Sequence, residues 1–243
     1  MVFENIVLIN SIIVTPNIPL SYSTVRSVFT REQRFEQTKI TIESIRSKIP
    51  NAFICIVECS PLQENEHNYL CENSNILINL YDCHDIREQH VYSRLKGMGE
   101  RMMTIEGIKR LFTNLTFTMQ VLPTCKSFFK ITGRYFLNDH FDHSFWTSNN
   151  NNIIRLKDNN ANSFFYKMPV EDLYLWLREL EKGDTVYRLK SLNQSFELIL
   201  YDYLISKKGV TLIEEGQGER ETEKGKCIGI TCINAVSGTI WNF

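Results

Sequence analysis

The sequence predicts an α/β fold, a mostly parallel sheet flanked by helices, from three observations: an early β-branched run that is apolar on both faces, further buried strand runs at Ala52–Cys59 and Ile76–Tyr81, and helical periodicity between them. The first strand is Ile6–Thr15, ended by Pro16 and Pro19. A strand covered on both sides reads as a continuous apolar run because neither face meets water. Thr30 followed three residues later by Gln33 fits a capping box, and Phe35, Ile42, Ile45 and Ile49 then share one helical face until Pro50 stops the helix. Ala52–Cys59 is the second strand, Gln63–Glu72 a polar helix, and Ile76–Tyr81 the third strand. Gly99–Phe112 is amphipathic, with Met103, Ile108, Leu111 and Phe112 on its apolar side, and Ser127–Leu137 supplies a fourth strand. Four strands separated by helices give a doubly wound, Rossmann-like sheet with right-handed crossovers.

Beyond Asn138 the parallel rhythm stops. Short strands are expected at Ile153–Leu156 and Phe164–Met168, helices over Val170–Leu180 and Gln194–Ser206, a charged loop over Glu214–Lys226 and a late strand at Ile228–Ile233. The asparagine run 149–152 reads as a polar loop. A length of 243 residues suits one domain, 1–243, with residues 1–140 and 141–243 as its two parts.

Composition narrows the function classes. Hydrophobic residues make up 43 % and aromatics 12 %, which is ordinary for a folded chain, and Lys+Arg 27 against Asp+Glu 28 leaves a net charge of −1. No global field draws such a protein to nucleic acid or an anionic membrane, so any anionic ligand must be gripped locally. Seven cysteines, several inside apolar runs, suit reduced thiols and a cytoplasmic location. The apolar run Ile6–Val14 is shorter than the ~20 residues a membrane helix needs, so no transmembrane segment is expected.

In open α/β sheets ligands bind beyond the carboxyl ends of the strands. Candidates there are Ser21, Tyr22 and Arg26 after the first strand, Glu58 and Ser60 after the second, Asp82 and Asp85 after the third, and Lys130, Arg134, Tyr135 and Asp139 around the fourth. The segment Lys96, Gly97, Gly99, Glu100, Arg101 sets two glycines and a lysine before a helix, where free N–H groups and the positive dipole end favour an anion; a plain turn with a glycine cap is the alternative. Lys130, Gly133 and Arg134 interrupt an aromatic, apolar strand, and such charges are costly unless paired or facing a ligand. The alternative is that Lys130 and Arg134 share the exposed face of an edge strand.

Pro19–Ser23, Arg26-Ser27, Arg34–Thr38, Thr41–Ile45, Lys96–Glu100 and Lys130–Tyr135 together resemble a group of glycosyltransferase-like proteins of bacteria and large DNA viruses, over about residues 5 to 140. More broadly the layout is similar to the A-type (nucleotide-diphospho-sugar transferase) fold. The resemblance implies transfer of a sugar from a nucleoside diphosphate sugar to a hydroxyl of a glycan acceptor, with the donor bound by Ser21, Arg26, Glu58, Lys96, Gly97, Gly99, Glu100, Lys130, Gly133, Arg134 and Tyr135. In that fold a metal-binding Asp-any-Asp ends the strand, whereas this chain has Thr132-Gly133-Arg134 there, with Asp139 and Asp142 the nearest acids. Either Asp139 holds Mn or Mg, or Lys96, Lys130 and Arg134 neutralise the leaving diphosphate without a metal. His140 and His143 flank Asp142 without standard ligand spacing. Glu197, at a helix start behind Ser195, is the candidate catalytic base, or else an acid serving the helix dipole. Glu214, Glu215 and Glu219 lie in a loop that closes over substrate or carries solvated charge. A nucleotidyltransferase and a catalytically inactive binding or assembly relative are the alternatives in function, and the oligomeric state is not fixed by the sequence.

Overall fold

The computed structural model describes residues 2–148, 151–156, 160–190, 195–207, 210–214 and 229–242. Its elements run β1 (Asn5–Ser11), α1 (Arg31–Lys48), β2 (Ala52–Glu58), α2 (Glu64–Glu72), β3 (Ile76–Asn79), the single turn α3 (His84–Ile86), α4 (Lys96–Thr113), β4 (Ser127–Thr132), β5 (Phe136–Leu137), α5 (His143–Ser148), β6 (Asn151–Leu156), β7 (Asn160–Pro169), α6 (Leu173–Lys190), α7 (Phe196–Ile205), β8 (Val210–Glu214), β9 (Ile230–Ile233) and β10 (Ile240–Asn242). The main sheet has the order β3-β2-β1-β4-β7-β6-β8. Its first four strands pair in parallel, β7 runs against both of its neighbours, and β8 is again parallel to β6. The chain is therefore α/β, with a mostly parallel, Rossmann-like central sheet flanked by helices. The β4–β7 pairing joins the earlier and later parts of the chain in one sheet.

Both faces of the sheet are buried, as the continuous apolar runs require. Ile6, Leu8, Val57, Phe128, Tyr166 and Met168 pack with residues of α4, α6 and α7 on one face, while Val7, Ile9, Ile54, Ile56, Phe129 and Phe165 pack with α1 on the other. Thr30 and Gln33 form the anticipated capping box at the start of α1. Asn10 Nδ2 donates to Thr104 Oγ1 at 2.8 Å and to the Glu100 carbonyl at 3.2 Å, which fixes α4 against β1.

Several boundaries differ from the sequence reading, each for a local reason. The first strand ends at Ser11 rather than Thr15, because the N–H groups of Ile13 and Val14 donate to the side chains of Glu58 and Ser60 instead of to a neighbouring strand. The fourth strand stops at Thr132, whose carbonyl accepts from Arg134 N and Tyr135 N in a tight turn. After that turn β5 joins β9 and β10 in a separate three-stranded sheet. Asn151 and Asn152 belong to β6 rather than to a loop, α4 begins at Lys96 rather than Gly99, α6 continues to Lys190, and β8 and β10 were not anticipated. Residues 215–228 of the charged loop, and with them Glu215, Glu219 and Cys227, lie outside the described residues. Cys55, Cys59, Cys125 and Cys232 are buried free thiols and Cys71 is an exposed one. Among the described residues no helix is long and apolar enough to cross a membrane.

Gly107 sets how closely α4 approaches the sheet: a Cβ there would lie 2.6 Å from Val57 Cγ2 and 3.1 Å from Leu8 Cδ1, both on central strands. Gly107→Val is expected to destabilise the fold by on the order of 2 kcal/mol, because overpacking in a filled core outweighs the removal of a helical glycine. Equilibrium urea unfolding checks this, an unchanged midpoint being the contrary result.

Candidate functional site

The strand order turns back between β1 and β4, and the carboxyl ends of these two strands meet at close quarters. Gly133 N donates to the Asn10 carbonyl at 2.8 Å, and Thr38 Oγ1 on α1 donates to the Gly133 carbonyl at 3.0 Å. A Cβ at Gly133 would sit 3.1 Å from Ser11 Cβ, so the glycine permits this approach, and the turn delivers Arg134 to the cleft that Asn10 and Ile12 line.

Two adjoining clefts open there. The wider, about 390 Å³, has Ser21, Tyr22, Gly97, Tyr135, Ser163 and Glu197 in its wall. The narrower has Asn10, Arg26, Arg34, Gly99 and Met103, and the two share Lys96, Glu100, Thr132 and Arg134.

Charge is distributed unevenly around them. Glu100 is committed to the interior: Lys130 Nζ forms a buried ion pair with its Oε1, and Thr132 Oγ1 donates to the same oxygen at 2.7 Å. Burial pushes this carboxyl up, but the Lys130 charge and hydrogen bond outweigh that and hold it below the usual carboxylate range. The remaining cations have no such partner. Arg26 donates to the carbonyls of Ile18, Val91 and Ser93, Arg34 to that of Ile12 at 2.5 Å, and Arg134 to that of Ile233 and to the Tyr135 hydroxyl. Among the described residues none of these arginines, nor Lys96, forms an ion pair with a carboxylate. Burial, reinforced by Arg134, pushes Arg34 down to about 9. Lys96 is pushed down to about 7, first by the Arg134 charge and then by burial, against the opposing pull of Glu100.

Lys96 also opens α4, whose N-cap, Leu95, offers no side-chain hydrogen bond and whose first turn holds no acid. α1 and α7 are capped by Thr30 and Ser195. An uncapped helix start, with free N–H groups, adds its partial positive charge to the cleft. One acceptor is left over as well. Asn10 Oδ1 is buried without a partner in the wall of the narrower cleft.

The structure gathers Ser21, Lys96, Gly97, Glu100, Arg134, Tyr135 and Glu197 around the wider cleft and Arg26 and Gly99 around the narrower one. Glu197 Oε1 accepts from Ser163 Oγ at 2.8 Å, and Ser195 caps its helix by accepting from Leu198 N. Lys130, Glu58, Gly133 and Asp139 are placed differently. Lys130 is wholly buried in an interior strand, neither on an exposed edge nor in a cleft wall, and acts on the site by fixing Glu100. Glu58 is wholly buried and accepts from Ile13 N and Cys59 N, which shapes the chain after β1. Gly133 lies behind the cleft. Asp139 is fully exposed and pairs at 3.1 Å with Lys48, the last residue of α1, at the opposite end of the sheet from the cleft.

Arg34, Asn10 and Ser163 are site residues that the sequence reading passed over. Two of them carry a signal: Asn10 interrupts an apolar strand, and Arg34, Thr38 and Thr41 form a polar stripe at helical spacing on the buried side of α1.

The divalent ion implied by the resemblance does not fit these residues. Asp139 is remote, Glu100 is taken by Lys130, Glu197 stands beside cations, and among the described residues no three His, Cys, Asp or Glu side chains group to hold a metal. No family model matches the chain, and no curated protein sequence matches it.

Glu100→Gln leaves a buried, uncompensated Lys130 and is expected to cost about 3–5 kcal/mol, whereas the double change Glu100→Leu with Lys130→Met recovers most of that stability. Urea unfolding of the three proteins measures both. A second expectation concerns pH. Lys96 is deprotonated in the fold above about 7 but protonated in the unfolded chain up to its ordinary value of 10.5, so the unfolded chain binds the extra proton in that window. Its contribution to stability therefore rises with pH across the window, and the difference in urea midpoint between wild type and Lys96→Met should shrink from pH 6.5 to pH 9; a constant difference would contradict the assignment.

Proposed function

We propose that the chain is a glycosyltransferase that moves a sugar from a nucleoside diphosphate sugar to a hydroxyl of a glycan acceptor, and that it holds the donor diphosphate with cationic side chains in place of a metal. The observation that carries this reading is the set Arg26, Arg34, Lys96 and Arg134, which lines a cleft at the ends of β1 and β4 without a carboxylate partner among the described residues. Burying such an excess of positive charge is unfavourable unless an anion completes it. The uncapped start of α4 and the position at the turn-back of the strand order favour a phosphate-bearing ligand.

The two clefts divide the work. The diphosphate lies against Lys96, Arg134 and the first turn of α4, where the clefts join. The reacting sugar and the acceptor occupy the wider cleft beside Tyr22, Ser163 and Glu197. Glu197 Oε1 is engaged by Ser163, leaving Oε2 to take the proton of the acceptor hydroxyl. The acceptor oxygen then bonds to the anomeric carbon as the bond from that carbon to the diphosphate oxygen breaks. The charge developing on the departing oxygen is met by the cations and by helix N–H groups already in place, which is how preorganised dipoles lower a barrier.

A thermal-shift screen of uridine, guanosine and thymidine diphosphates, followed by donor hydrolysis and transfer assays with the matching sugar nucleotides, tests the reading. Arg134→Ala is expected to abolish diphosphate binding and transfer while leaving the melting temperature nearly unchanged, since it removes a charge that has no carboxylate partner among the described residues. Glu197→Gln is expected to lower kcat by about 10²–10⁴-fold with diphosphate affinity retained. Transfer at wild-type rate by Arg134→Ala would refute the proposal.

A further inference from the structure

Lys96 differs from the other cations of the cleft. Each of the three arginines donates to at least one backbone carbonyl, whereas Lys96 has no hydrogen-bond partner among the described residues. The charged groups that act on its amine are Arg134 in the turn after β4, Arg34 on α1, Glu100 on its own helix and Glu197 on α7. It is half-buried, yet it lies in the walls of both clefts, so a small molecule can reach it.

Two other lysines have weakened basicity but lack this access. Lys130 is wholly buried and locked onto Glu100, and Lys167 is 3 % exposed within β7. Lys182 is reachable as well, but it is exposed and pairs with Glu179. An amine next to other cations and partly shielded from water gives up its proton more easily, and the free lone pair is what attacks a carbonyl. Lys96 thus joins two conditions that the fold separates elsewhere: a reachable amine and neighbours that favour its neutral form.

We propose that Lys96 is a nucleophilic amine that condenses with aldehydes bearing a phosphate group, the phosphate resting on Arg34 and Arg134 while the aldehyde carbon reaches Nζ. The Nζ lone pair adds to the carbonyl carbon, a proton passes from nitrogen to the carbonyl oxygen to give a carbinolamine, and loss of water leaves the imine. No electrons are exchanged, so no oxidant or reductant is needed for the condensation. The proposal rests on the anion-binding part of the function given above and is independent of sugar transfer.

The test is reductive trapping of the full chain at pH 7.5 with pyridoxal 5′-phosphate and cyanoborohydride, which adds hydride to the imine carbon and fixes the adduct as a secondary amine, followed by peptide mass mapping. Lys96 should be modified on the order of ten-fold faster than Lys182, with a rate that levels off above pH ~8 while surface lysines continue to gain. Unphosphorylated pyridoxal should show no such preference, inorganic pyrophosphate should bind by calorimetry and block the labelling, and Lys96→Arg should lose the label. If pyrophosphate binds but Lys96 is labelled no faster than Lys182, the nucleophile proposal is overturned and the anion site stands. If pyrophosphate neither binds nor protects, and labelling is indifferent to the phosphate on the probe, both the proposal and the anion reading beneath it fail.

Discussion

The site depends on the buried pairing of Lys130 with Glu100 between β4 and α4. Lys130 falls on the same face of β4 as Phe128, toward α4 and α7, and it donates to the Ser163 carbonyl as well. Glu100 reaches it because α4 lies close against the sheet, a proximity that Gly107 allows two turns further along the same helix face. Asn10 holds the helix in register by donating to the Glu100 carbonyl and the Thr104 hydroxyl. Since Glu100 is paired with Lys130, its pull on Lys96 is outweighed by Arg134 and burial, and the charge imbalance of the cleft follows from the packing of the core behind it.

The arginines are held in a way that preserves this imbalance. A carbonyl satisfies the direction of a guanidinium N–H without cancelling its charge, so Arg26, Arg34 and Arg134 are fixed in place and remain cationic toward the cleft. Elsewhere the same protein pairs arginine with carboxylate in the ordinary way: Arg31 meets Glu66 at 2.6 Å, with Glu66 nearly buried. Exposed arginines such as Arg46 and Arg178 also bond to neutral groups, but Arg34 and Arg134 do so while buried, where an unneutralised charge costs more. Rigid donors set around one point suit a ligand whose charge is spread over several oxygens, as a diphosphate's is.

Much of the first half of the fold was legible in the sequence because its signals are local. The capping box at Thr30 and Gln33, the prolines after β1 and the apolar runs of β1 and β2 each report on structure within a few residues. The break after β4 was not legible, since it depends on Ser11 and Asn10 crowding Gly133 from a strand more than a hundred residues earlier. For the same reason β8 and β10 escaped notice: short strands are decided by the neighbour they pair with, here β6 and β9. In the site, the anomaly of charges within an apolar strand was visible at Lys130, but its resolution was not. A sequence shows that a buried lysine needs a partner without showing that Glu100 supplies it.

On the proposed chemistry, the crowding of like charges that is unfavourable within the cleft favours the transition state. A sugar nucleotide presents its diphosphate with one charge fewer than the diphosphate that leaves. As the glycosidic bond breaks, the extra charge appears on the oxygen nearest the cations. At separations of roughly 4–5 Å and an effective dielectric constant of ~20, each cation gains about 3–4 kcal/mol from that added charge, an upper bound that solvent lowers. Cations that were already neutralised by carboxylates would gain far less, because the local potential would be near zero before reaction. Only interactions that strengthen between ground state and transition state raise the rate. On this proposal that difference comes from turning Glu100 inward to Lys130, and from keeping Asp139 at the far end of the sheet, beside Lys48.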